Sequence, residues 1–149
     1  MNKVTRVGVF ETNSSSTHSI SIAGWSPSKK DTLTVENGVV SIFPGEFGWE
    51  EVTYHDAASK ASYCYTYAKQ TNRPELLERL AAVIVAETGC KVVQFETAGG
   101  EGYSYGYIDH QSCEKGDDDP GARALKSDES ARNFIFNPKS VLVTDNDNH

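Results

Sequence analysis

The sequence predicts an α+β fold, an antiparallel or mixed sheet built from hairpins with a central helical pair packed on one face. Three observations carry that prediction. A two-residue Asn37-Gly38 turn sits between alternating apolar residues, two capped helical stripes occupy the middle of the chain, and apolar alternation returns in the second half. At 149 residues the chain has the size of a single domain, 1–149, able to bury roughly two thirds of its unfolded surface around one core.

Taken in order, Val7-Gly8-Val9-Phe10 and Ser19-Ile20-Ser21-Ile22 both read as strands. Between them Thr12 to Ser19 holds six hydroxyls, one amide and one imidazole. Such side chains compete with the backbone for hydrogen bonds, so a loop fixed between two strands is expected there. Residues 32–43 predict a hairpin in which Val35 pairs with Val40 and Leu33 with Ile42. Pro44 to Glu50 reads as an irregular loop, with Phe47 and Trp49 as core plugs.

From Asp56 to Lys69 the residues Ala57, Ala61, Cys64, Tyr65 and Ala68 fall on one helical stripe, with Asp56 as N-cap. The alternation of Tyr63, Tyr65 and Tyr67 offers a competing strand, which the alanines and the length of the stripe outweigh. A second helix follows, with Asn72 as cap, Pro74 in the first turn, Glu75 in the capping-box position and Gly89 at the C-terminal cap. Leu76, Leu77, Leu80, Val83 and Ile84 form its apolar face.

Residues 91–96 and 103–109, joined by a glycine-rich connection, predict a second hairpin. The acidic run Asp117 to Asp119 with Pro120-Gly121 makes 111–128 a solvated loop, and a short helix is expected around Asp128 to Asn133. Phe134-Ile135-Phe136, an Asn137-Pro138 turn and Val141-Leu142-Val143 supply a last apolar element before a polar tail from Asp145 to His149.

A formal charge of −7, with 14 basic against 21 acidic residues, opposes non-specific binding to nucleic acid or to anionic membranes. No run of about 18 apolar residues appears and the N-terminus lacks the pattern of a secretory signal, so a soluble protein is expected. Cys64, Cys90 and Cys113 are odd in number and widely spaced, which suits free thiols in a reducing cytoplasm.

Three polar clusters are candidates for chemistry. In the first, Asn13, Ser14, Ser15 and Ser16 could form an anion-binding concavity, although the glycines and lysine of a P-loop are missing, and His18 follows at a strand start. A loop whose hydroxyls serve only its own turns is the competing reading. The second is Asp109, His110, Ser112 and Cys113 at a strand end, where a general base can be both fixed and reachable. His110 and Cys113 are spaced like one arm of a zinc site that His18 with one further ligand could complete, but paired arms are absent and no metal is assigned. The third joins Asn137 to Ser140 with Asp145 to Asn148, a tail that lacks the glycine and closing glutamate of a calcium loop. The residues identify no cofactor.

The segment RVGVFETNSSSTHSI resembles the N-termini of a family of small, uncharacterised bacteriophage and prophage proteins. GYIDHQS at 106–112 and IFNPKSVLVTDND at 135–147 are similar to its other recurring parts. The resemblance implies a phage origin, hence the cytoplasm of a bacterial host, and a site shared by the three segments; it implies no activity. On this expectation they form a pocket for a phosphate-containing small molecule or nucleotide. His18, His110 and Asp109 would be its catalytic groups, and Asn13, Ser14, Ser15, Ser16, Ser112, Asn137 and Asp145 its ligand-binding groups. Hydrolase or transferase activity is one extension of that reading. A serine nucleophile is a narrower variant, without the glycine-flanked turn that chemistry uses. The alternatives are a non-enzymatic acidic inhibitor of a host protein, acting in anti-defence or host takeover, and a virion component.

Overall fold

The computed structural model describes residues 16–24, 31–47, 52–97, 106–108 and 120–146. It has the predicted α+β character. Strands β1 (Ser16–Ser21), β2 (Val39–Ile42), β3 (Glu46–Phe47) and β4 (Val52–Tyr54) precede helices α1 (Ala57–Gln70) and α2 (Pro74–Thr88). Strands β5 (Val92–Phe95) and β6 (Tyr107–Ile108), helices α3 (Pro120–Ala124) and α4 (Asp128–Phe136) and strand β7 (Val141–Asn146) complete the order. The strands form an antiparallel trio, β1-β7-β4, and two parallel pairs, β2-β5 and β3-β6.

Helix α1 is the centre of the molecule. The predicted stripe is buried as expected, with Lys60 within it, and so are Tyr63, Thr66 and Tyr67 on its other sides. Packing against α2, α3, α4, β2 and β6 encloses it. This enclosure accounts for the tyrosine alternation: Tyr63 and Tyr67 share one helical face and Tyr65 occupies another, and all three have packing partners. Asp56 caps α1 as predicted, accepting from the Ser59 backbone at 2.9 Å. Asp31 adds a second carboxylate at the same end by accepting from the Ala57 backbone at 2.9 Å.

Several expectations are corrected. Asn37 and Gly38 adopt the positive φ values (54° and 78°) of the predicted turn, and Glu36 and Val39 exchange two 2.9 Å backbone bonds. The expected hairpin ladder goes no further. Its first arm is drawn away where the Asp31 backbone donates to Phe136 (2.7 Å) and Leu33 enters the core, so β2 pairs in parallel with β5. The second hairpin is likewise replaced, because β5 takes β2 and β6 takes β3. Apolar alternation specifies that a segment is a strand without naming its partner.

Asn72 is not the cap of α2. It takes φ 58° in the connecting turn, Arg73 stands at the N-cap without a side-chain capping bond, and its guanidinium pairs with Glu75 at 3.3 Å. Gly89 closes the helix at φ 73°, as predicted. The region read as a solvated loop ends in α3, whose Pro120, Gly121, Ala122 and Ala124 are buried. A Cβ on Gly121 would stand 2.2 Å from the Tyr67 ring, so glycine is what lets α3 reach α1. A reciprocal Ser127–Ser130 capping box starts α4, which runs past the expected end at Asn133 to take in Phe134-Ile135-Phe136. Phe47 is the expected core plug, edge-on to Tyr54 and Tyr63; Trp49 lies outside the described residues.

Candidate functional site

Ser16 and Thr17 of the hydroxyl run belong to β1 rather than to the expected loop, and His18 and Ser19 lie in that strand as expected. Pairing with β7 overrides their turn preference. The register sets Ser16 opposite Asn146, Thr17 opposite Asp145, His18 opposite Thr144 and Ile20 opposite Leu142. On the other side of β7, Val52 lies opposite Thr144 and Tyr54 opposite Leu142. The first and third predicted segments therefore run side by side.

Directly paired residues share a face of a sheet and neighbours alternate. Ile20, Leu142 and Thr144 are buried, whereas Ser19, Ser21 and Thr53 are exposed. Ser16, His18, Thr144 and Asn146 belong to the same register set as the Ile20–Leu142 pair. Asp145 falls in the opposite set with Thr17. His18 and Asp145 are therefore at neighbouring, unpaired positions of the ladder.

Asn137 is divided from the hydroxyl run by distance. It lies just before β7, at the end where Ser21 meets Val141, while Ser16 meets Asn146 at the other end. Five residue steps along the ladder separate these ends by about 17 Å. The Asn137 side chain is also committed: its amide donates to the Gly24 carbonyl and its oxygen accepts from the Lys139 backbone at 2.9 Å. Asn13, Ser14, Ser15, Asp109, His110 and Ser112 lie outside the described residues. Ile108, immediately before Asp109, is fixed by Gln70, which accepts from its N–H at 2.8 Å and donates to its carbonyl at 3.1 Å.

The Asn137 end contains a group absent from the predicted set, Lys60. Its side chain is fully buried, and Nζ donates to the carbonyls of Asn137 and Ser140, each at 2.9 Å. The Phe134 ring centroid lies 5.8 Å from the same nitrogen. Ser140 continues the network, its hydroxyl donating to the Asn133 carbonyl at 2.6 Å and accepting from the Ala23 backbone at 2.8 Å. Burial brings the Lys60 amine down to about 8, against the opposing pull of Asp31, Asp56 and Cys64. Burial likewise pushes the Cys64 thiol up to about 12, despite Lys60. Burial also works to raise Asp56, but hydrogen bonds from Ser59 hold it below the usual aspartate value. The sequence signal for Lys60 was its place three residues after Ala57 and four before Cys64, inside the apolar stripe.

Cys64 and Cys90 are free and buried, and among the described residues no three His, Cys, Asp or Glu side chains gather as a metal site. Comparison with protein-family models, with curated proteins and with solved structures finds no match to this chain.

Proposed function

We propose that the chain binds a phosphate-containing small molecule at the end of the β1–β7 ladder that carries Ser16, His18, Thr144 and Asn146. What supports the reading is the register, which collects two hydroxyls, an imidazole and an amide in one set and assigns the Asp145 carboxylate to the other. Phosphate oxygens accept hydrogen bonds from hydroxyl, amide and imidazole donors, and a carboxylate among them would repel the anion. Ser14 and Ser15, which precede this strand in the sequence, belong to the proposed ligand set. His18 is the group that could stabilise charge or move a proton, which is where hydrolysis or transfer would begin. Asn137 leaves the ligand set, because its side chain holds the turn that leads into β7. On this reading the protein acts in the cytoplasm of a bacterial host.

The test is calorimetric titration with inorganic tripolyphosphate and the four ribonucleoside triphosphates, on the parent chain and on His18→Ala. Saturable binding that weakens about tenfold in His18→Ala, equivalent to about 1.4 kcal/mol, is the expected result. Lys139→Ala, an exposed change at the far end of the ladder, should leave it unaltered. Absence of saturable binding, or the same affinity without the imidazole, removes the reading. A salt-sensitive protein partner from host lysate would then favour the acidic inhibitor.

A further inference from the structure

A concavity of about 330 Å³ lies between β2, β3, β4 and the first turns of α1. That volume is at the lower end of the range for small-molecule pockets. Its walls include Phe43, Phe47 and Tyr54, and its rim includes Ser41 and Glu46. Phe47 is held edge-on by Tyr54 (ring centroids 5.5 Å apart) and by Tyr63 (5.1 Å). The adjoining loop is tied to α1 twice, by the Ser62 hydroxyl donating to the Phe43 carbonyl at 2.6 Å and by the Gly45 N–H donating to Thr66 at 3.0 Å. The wall is therefore preformed. Yet Phe43 is 43% exposed, a large aromatic ring that the fold leaves partly uncovered beside the concavity.

The rim carries the chemical information. Ser41 and Glu46 are exposed, and neither side chain has a hydrogen-bond partner among the described residues. Aromatic walls suit the face of a planar ring. A carboxylate accepts, and accepts best from two adjacent N–H donors that meet both its oxygens.

We propose that this concavity is a subsite for a planar heterocycle with two neighbouring N–H donors, the arrangement on the pairing edge of guanine. The ring packs against Phe43 and Tyr54, and Glu46 accepts from its edge. Strand β4 connects this subsite with the polar set already described: Tyr54 is two residues from Val52, which pairs with Thr144. The backbone separation from Tyr54 to Thr144 is about 8 Å, short enough for a sugar to bridge ring and phosphate in one ligand. That bridging rests on the phosphate reading above; the ring subsite is tested without phosphate.

The experiment titrates guanosine and inosine, which lacks the second donor, into the parent chain, Phe43→Ala and Glu46→Gln, followed by calorimetry or ligand-observed NMR. Both substitutions replace exposed side chains, and circular dichroism checks that each variant folds. Guanosine should bind saturably and more tightly than inosine, Phe43→Ala should weaken both at least fivefold, and Glu46→Gln should abolish the preference between them. Failure of guanosine to bind, or affinities and preference unchanged in both variants, overturns the subsite. Tripolyphosphate in the same series separates the two proposals. Its binding without guanosine removes the ring subsite alone, and guanosine binding without it removes the phosphate site alone.

Discussion

The two ends of the β1–β7 ladder are built from similar residue types and used in opposite ways. Where Ser21 meets Val141, three polar side chains are consumed internally: Lys60 on two carbonyls, Asn137 on Gly24 and Lys139, Ser140 on Asn133 and Ala23. Where Ser16 meets Asn146, the register gathers Ser16, His18, Thr144 and Asn146 past the last apolar pair, Ile20 and Leu142. The contrast separates two reasons for a cluster of polar residues. One cluster satisfies backbone carbonyls that the core has cut off from water; the other lies at the end of the ladder where the phosphate site is proposed.

The most forceful way to break this contrast is to empty the closed end. Lys60→Ala leaves a cavity and strips the Asn137 and Ser140 carbonyls of their donor, and should lower unfolding free energy by about 3 kcal/mol in denaturant titrations. Less than about 1 kcal/mol would show that the network is incidental to the fold. Asn137→Ala removes two bonds rather than a buried side chain of lysine's length and should cost about 2 kcal/mol by the same measurement.

A smaller effect sharpens the role of Lys60 through pH. Burial holds its amine near 8 in the fold, against an ordinary value of 10.5. Between those values the unfolded chain retains a proton that the folded chain has released, so the Lys60 contribution makes stability rise with pH across that window. The neutral amine still has two N–H groups for its two carbonyl acceptors. Thermal melts from pH 7 to 10.5 should show a rise in the parent chain relative to Lys60→Met. A relative fall would mean that the buried group stays charged.

The helices were the most legible part of the sequence because their signals are local. Asp56, Gly89 and the stripe through Ala57, Ala61 and Cys64 act within a turn or two, and each has its predicted place. Strand partners were not legible. Val92 to Phe95 alternate in the same way whether they pair antiparallel with a near segment or parallel with β2, and the choice depended on where Leu33 and Asp31 drew the competing arm. Asn72 resembled a cap by residue type, but the turn needed its tolerance of positive φ.

The candidate site was legible as a list of polar segments and not as a geometry. That Thr12 to Ser19 and Asn137 to Asp145 belong together could be expected, but only the register divides His18 from Asp145 and only the length of the ladder divides Ser16 from Asn137. Lys60 was visible as a charge on an apolar stripe. A lysine stem ordinarily carries its amine out to water, and the acceptors that keep this one inside lie 77 and 80 residues further along the chain.

The difference between the two ends is tested most directly by measuring tripolyphosphate affinity and melting temperature side by side for His18→Ala, His18→Gln and Lys60→Met. Both His18 variants should lose binding about tenfold while remaining folded, and Lys60→Met should melt earlier yet bind as the parent chain does below its melting temperature. Unchanged affinity in folded His18 variants, or loss of binding confined to Lys60→Met, would contradict the assignment of one end to the ligand and the other to the fold.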